Sequence, residues 1–198
     1  MKAIVLEQVD DLFSDKKKLS KIERGLRDYQ WIQTRVNEVD VSADHLFQER
    51  YSVFYVMWFR PKEWKKCYFE LFEQAKKMEP RPDFREILKC LNERTGKMEA
   101  SFASKLVATL NPAKQIIDKY VLENFELILP PLNRVNRLEE TVGVYEKLGA
   151  LYNDFLKEPI CGEICRRFNK SFSVSNVTQL KMIDFVLWQI RPKNTSSM

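Results

Sequence analysis

Few side chains in this sequence are equipped for covalent or acid–base chemistry. There is one histidine, His45, and there are four cysteines, Cys67, Cys90, Cys161 and Cys165. A Cys–His or Ser–His nucleophile would have to be assembled around His45, and no cysteine stands beside it in any local signature of that chemistry. The Cys161-x-x-x-Cys165 pair has no second pair at zinc spacing, so reduced thiols are expected and a metal site is not. Phosphate-binding glycine loops, GxGxxG, GxSxG and HExxH are all missing, and no cofactor is implied. Basic residues are more suggestive. Lys16, Lys17, Lys18, Lys21, Arg24 and Arg27 form one cluster; Arg60, Lys62, Lys65 and Lys66 a second; Arg166, Arg167 and Lys170 a third. Brought onto one face they would suit a nucleic-acid backbone, and left apart they are solvated surface.

The composition limits what can hold such residues in place. The chain has 198 residues, with 33 Lys+Arg against 28 Asp+Glu and a net charge of +5. Hydrophobic residues make up 44% and charged residues 31%, enough for a core and unlike a disordered or collagen-like chain. Five glycines and eight prolines are too few for the frequent turns of an all-β sandwich. No apolar run approaches the ~18 residues of a membrane span, and the N-terminal MKAIVLEQVDD turns acidic too early for a signal peptide. These features predict a cytoplasmic protein with neither membrane nor metal as partner.

Periodicity predicts an all-α protein of seven or eight helices. Segment 1–13 reads equally as a strand or a helical turn. From Ser20, a capping box with Glu23 precedes Ile22, Leu26, Tyr29, Ile32 and Val36 at helical spacing, predicting a helix over 20–37. Ser42 and Asp44 suit the cap of a helix running to Phe59, and Pro61 suits the first turn of the next. The aromatic stripe Phe47, Tyr51, Phe54, Tyr55, Trp58, Trp64, Tyr68 and Phe72 is expected to be core rather than a base-stacking surface. Shorter helices are predicted over 84–95 and around SFASKLVATL. A further one should carry Asp118, Val121, Leu122 and Phe125. Later segments predict a long amphipathic helix over 138–156, a short one over 160–168 and a last one over 177–190. The whole is expected to be a single all-helical domain over 1–198, divisible into lobes 1–80 and 81–191 around a cleft, with a frayed tail at 192–198.

One segment carries a more specific pattern. From Thr95 to Phe125 the sequence places Gly96 before a helix kept small on one side by Ala103, Ser104 and Ala108. Asn111-Pro112 follows, and then Ile116-Ile117-Asp118-Lys119-Tyr120-Val121. This order resembles the core of the helix-hairpin-helix DNA glycosylases, in which a glycine-containing hairpin leads into a small-residue helix, a proline-bearing loop, and an apolar pair followed by Asp-x-x-Val at a helix start. The resemblance covers only this stretch. It implies a divergent glycosylase-like fold that binds nucleic acid and cleaves or recognises a flipped base. Asp118 would be the catalytic carboxylate, stabilising positive charge on the sugar as the base departs and orienting water. Gly96 and its neighbours would offer backbone amides to phosphates, and Lys97, Lys105, Lys114 and Lys119 would add counter-charge.

Departures from the pattern narrow that expectation. Met98 replaces the second hairpin glycine, and Ala100 stands where bifunctional members carry a Schiff-base lysine. Any activity should therefore be monofunctional N-glycosylase activity without a lyase step. The four-cysteine iron–sulfur loop of some members is also missing. The residues leave plainer roles open: Asp118 as a helix N-cap, Gly96 as a helix C-cap, and Lys105 as a solvated charge on a closely packed helix. A helical interaction or regulatory protein that keeps the fold without the chemistry is the alternative, with a protein rather than DNA as partner. Sequence-independent nucleic-acid binding through the basic clusters is a third reading.

Overall fold

The computed structural model describes residues 6–173 and 176–190. Ten α-helices occur among them, and no strand. In chain order they are α1 (Leu6–Ser14), α2 (Lys16–Arg35), α3 (His45–Phe54), α4 (Lys62–Lys77), α5 (Phe84–Thr95), α6 (Ala100–Leu110), α7 (Lys119–Asn124), α8 (Arg137–Phe155), α9 (Pro159–Ser171) and α10 (Gln179–Leu187). The all-α expectation holds, with ten helices rather than seven or eight. Residues 6–14 of the ambiguous N-terminal segment are helical. The predicted frayed tail lies outside the described residues.

Contacts divide the chain into two compact units. A central unit spans Arg24–Asn111, and a discontinuous unit combines the residues up to Glu23 with those from Pro112 onward. The division does not fall at 80/81, because α4 and α5 on either side of that point pack against each other, and α5 packs in turn on α6. Arg94 of α5 donates to the Gln74 side chain of α4 at 2.6 Å. In the discontinuous unit α9 packs on α1 and α10, and α10 on α7.

Side-chain caps decide where several helices begin. Ser20 lies inside α2, and the start is set by Asp15, whose Oδ1 accepts from the backbone N–H groups of Lys17 at 2.8 Å and Lys18 at 3.2 Å. Those hydrogen bonds favour the ionised carboxylate and hold Asp15 below its usual pKa against the opposing effect of burial. Asp44 caps α3, accepting from Phe47 N–H at 2.7 Å and from Arg35 at the same distance. Asp83 and Glu86 form a reciprocal capping box at α5. Gly96 ends that helix at φ 67°, ψ 12°, the left-handed position that glycine enters without a Cβ penalty.

Helix α3 stops at Phe54, short of the predicted Phe59. Val56 adopts φ 56°, a left-handed conformation that a β-branched residue takes only under strain, and Met57 N–H turns back to Ser52 C=O. The aromatic stripe splits as a result. Phe47, Tyr51, Tyr55, Trp64, Tyr68 and Phe72 are core, as expected, whereas Trp58 and Phe59 are exposed.

The central core is built on those buried rings and on α6, whose residues from Phe102 to Leu110 are all buried except Lys105. Ser104 is fully buried, in keeping with close helix packing. The discontinuous core centres on α8 and α10, with Tyr152, Leu148, Ile183 and Leu187 fully buried.

Candidate functional site

The carboxylate of Asp118 stands at the end of a loop that is fastened to its surroundings at several points. The loop leaves α6 at Asn111 and Pro112. Thr178, the N-cap of α10, donates its hydroxyl to Pro112 C=O at 3.1 Å. Gln115 is buried and its Nε2 donates to Tyr145 C=O of α8 at 2.8 Å. That approach depends on Gly149, where a Cβ would come within 2.7 Å of the Gln115 amide nitrogen. Ile116 and Ile117 then bury their side chains completely, which burial of apolar area stabilises by about 1.5 to 3 kcal/mol each.

Asp118 follows as the N-cap of α7, at φ −130° and ψ 151°. Its Oδ1 accepts from Tyr120 N–H at 2.9 Å. The other oxygen, Oδ2, takes no hydrogen bond from any described residue, and the side chain is half-buried. One oxygen is therefore used in orienting the group, while the other is not engaged by any described residue.

A buried polar network lies close by. Tyr152 donates to Asp184 Oδ1, and Lys181 Nζ donates to Asp184 Oδ2 at 2.8 Å. All three side chains are essentially inaccessible. Burial pushes the Tyr152 hydroxyl well above its usual pKa, and the negative charges of Asp184 and Asp118 push it in the same direction. Tyr152 is thus a neutral donor, and Asp118 is near enough for its charge to be felt there.

The other residues singled out with Asp118 are distributed differently. Gly96, Lys97 and Lys105 belong to the central unit, and Lys114, Asp118 and Lys119 to the discontinuous one. The Gly96 N–H donates to Asn92 C=O at 2.8 Å and the Lys97 N–H to Thr95 Oγ1 at 3.3 Å, so both amides are engaged within the turn. Lys105 turns inward. Its Nζ donates to Tyr55 C=O at 3.1 Å and lies 4.8 Å from the centre of the Phe102 ring. Lys119 pairs with Glu123 at 3.8 Å on its own helix. The side chains of Lys97 and Lys114 are exposed and form no ion pair with any described residue.

The basic clusters also differ in how their charges are matched. Arg166 and Arg167 are held by Glu163, and Arg167 also by Asp10. Those contacts lower the Glu163 pKa. Arg60 pairs with Glu99 at 2.8 Å, with its guanidinium about 5 Å from the Trp64 and Phe102 rings. Lys62, Lys65 and Lys66 have no ion-pair partner among the described residues.

These three lysines belong to a site that the sequence reading did not assemble. Together with Phe69 they form one stripe of α4 and line a groove of about 820 Å³, whose opposite wall is the His45, Glu49 and Val53 stripe of α3. Both stripes have helical spacing in the sequence. The signal was present, but pairing the two stripes required the fold. His45 is exposed at the first position of α3, on this groove.

All four cysteines are free thiols. No group of three or more His, Cys, Asp or Glu side chains among the described residues is arranged to hold a metal ion. No described helix is long and apolar enough to cross a membrane. No protein-family model, curated protein or solved structure matches this chain.

Proposed function

We propose that this protein is a divergent glycosylase-like helical protein that binds nucleic acid and presents Asp118 to a positively charged sugar. One observation carries the reading: the Asp118 carboxylate is oriented by its cap bond through Oδ1 while Oδ2 remains without a donor among the described residues. A purely structural cap needs only the first of these. A carboxylate that stabilises developing charge needs both a fixed orientation and a lone pair facing outward. The helix–Gly96 turn–small-residue helix–loop–Asp118 order of the resemblance is also present as folded elements.

Substitutions separate the charge of Asp118 from its cap. Asparagine caps helices about as well as aspartate, so Asp118→Asn should unfold at nearly the wild-type urea concentration, whereas Asp118→Ala should lose about 0.5 to 2 kcal/mol. Base release from duplexes carrying damaged bases should disappear in the stable Asn variant. Base release at the wild-type rate in that variant would remove Asp118 from the chemistry.

The alternative, a helical interaction protein without glycosylase chemistry, is favoured by one specific feature, the cluster of exposed apolar side chains between Leu46 and Phe59. Exposed apolar side chains grouped in this way form the kind of surface on which a protein partner docks.

A further inference from the structure

The central unit carries a second surface whose character does not depend on Asp118. Five of the ten exposed large hydrophobic side chains among the described residues are Leu46, Val53, Val56, Trp58 and Phe59. Trp58 is 69% exposed and Val53 62%. Trp58 and Val53 line the groove of about 820 Å³ between α3 and α4, above the buried ring of Phe69. A smaller hollow of about 200 Å³, lined by Asp28, Leu46 and Arg50, shares Glu49 and Val53 with the groove. The two hollows therefore adjoin along the exposed face of α3.

The charges on this surface select its occupant. Elsewhere many cations are matched, as in Lys76 and Lys77 with Glu73, Arg35 with Asp44, and Arg60 with Glu99. Lys62, Lys65 and Lys66 are not matched by any described residue, and their spacing lines them along one edge of the groove. A partner that seats apolar side chains between the helices and carries carboxylates at helical spacing would complete both features at once. A nucleic-acid strand fits less well. The exposed apolar side chains of this surface include Leu46, Val53 and Val56 beside the rings of Trp58 and Phe59, and a patch so rich in aliphatic groups suits the packed side chains of a helix better than a run of stacked bases.

We infer that the α3–α4 groove is a docking site for an acidic amphipathic helix of a partner protein. Its apolar stripe rests on Trp58 and Val53, and its carboxylates face Lys62, Lys65 and Lys66. Trp58 is the anchor, because a large exposed ring beside a groove gains the most from being covered.

Selection from a display library of random peptides about 16 residues long, roughly 24 Å as a helix, tests this on the intact protein. The selected peptides should be acidic, with apolar residues three and four apart. Their affinity should fall roughly tenfold or more for Trp58→Ala and for the triple reversal Lys62→Glu, Lys65→Glu, Lys66→Glu. These side chains are on the surface, and an unchanged circular dichroism melt confirms that the variants are folded. Failure to enrich any peptide, enrichment of basic or non-amphipathic ones, or affinity indifferent to both variants would overturn the inference. So would a thymidine oligonucleotide that binds through the same four residues and displaces the peptides. Asp118→Asn should leave peptide binding unchanged, which keeps this result separate from the fate of the glycosylase-like reading.

Discussion

In the central unit the polar atoms buried among the helices include a group of neutral hydroxyls, whereas the discontinuous unit buries a lysine and an aspartate. Tyr51 and Tyr68 share a hydrogen bond of 2.9 Å, Tyr68 donates to Phe102 C=O at 3.0 Å, and Tyr55 and Thr109 lie 3.3 Å apart. Burial raises the pKa of both Tyr51 and Tyr68, so the group stays neutral over the ordinary pH range. In the other unit Lys181 and Asp184 are held at 2.8 Å with almost no access to solvent, and Tyr152 supplies Asp184 with a second donor. Neutral hydroxyls can lose one bond at modest cost. Removing one member of a buried ion pair costs more, because the other charge stays desolvated. The Lys181–Asp184 pair, in the unit that also carries Asp118, should therefore be much more sensitive to single substitution than the group of hydroxyls in the central unit.

Asp184→Ala should have the largest effect, about 3 to 5 kcal/mol in urea unfolding, because it removes the buried carboxylate to which Lys181 and Tyr152 both donate. The double change Lys181→Met with Asp184→Leu should recover most of that loss, and failure to recover it would mean that packing rather than charge dominates there. Tyr68→Phe should cost less, about 0.5 to 1.5 kcal/mol for each of the two bonds removed. A loss as large as that of Asp184→Ala would erase the contrast between the units.

The smallest effect concerns an ion-paired carboxylate of the central unit. Burial raises the pKa of Glu73, but its hydrogen bonds from Lys76, Val41 N–H and Lys77 outweigh that, leaving the group below its usual value. A lowered folded-state pKa contributes stability that is complete above the unfolded-state value and is lost as pH falls through the folded one. Glu73→Gln should flatten the acid side of the stability profile, and a profile of unchanged steepness would show that Glu73 contributes nothing to it.

The same contrast separates what was legible in the sequence from what was not. Apolar periodicity located the helical cores, because Tyr51, Tyr68, Leu148 and Tyr152 recur at helical spacing whatever surrounds them. Helix starts were harder to read. Asp15 and Ser20 are both good caps, and the decision fell to Asp15, whose carboxylate binds two backbone N–H groups. The exposure of Trp58 depended on one strained turn at Val56, which ends α3 before the aromatic stripe is complete. The Lys181–Asp184 pair reads in sequence like an ordinary outer-face ion pair, and only the tertiary packing of α10 encloses it. Asp118 was legible as a residue and as a helix start, since the apolar pair and Asp-x-x-Val mark both. That only Oδ1 is bonded among the described residues was not legible, because hydrogen-bond partners are assigned by the fold.

The most direct test is binding to a short duplex containing a cationic abasic-sugar analogue, compared with the undamaged duplex at two salt concentrations, for wild type and Asp118→Asn. Wild type should prefer the analogue, and the preference should vanish in the Asn variant while affinity for the undamaged duplex and its salt dependence stay the same. Equal binding of both duplexes by wild type, or a preference that survives Asp118→Asn, would contradict a role for this carboxylate in recognising a charged sugar.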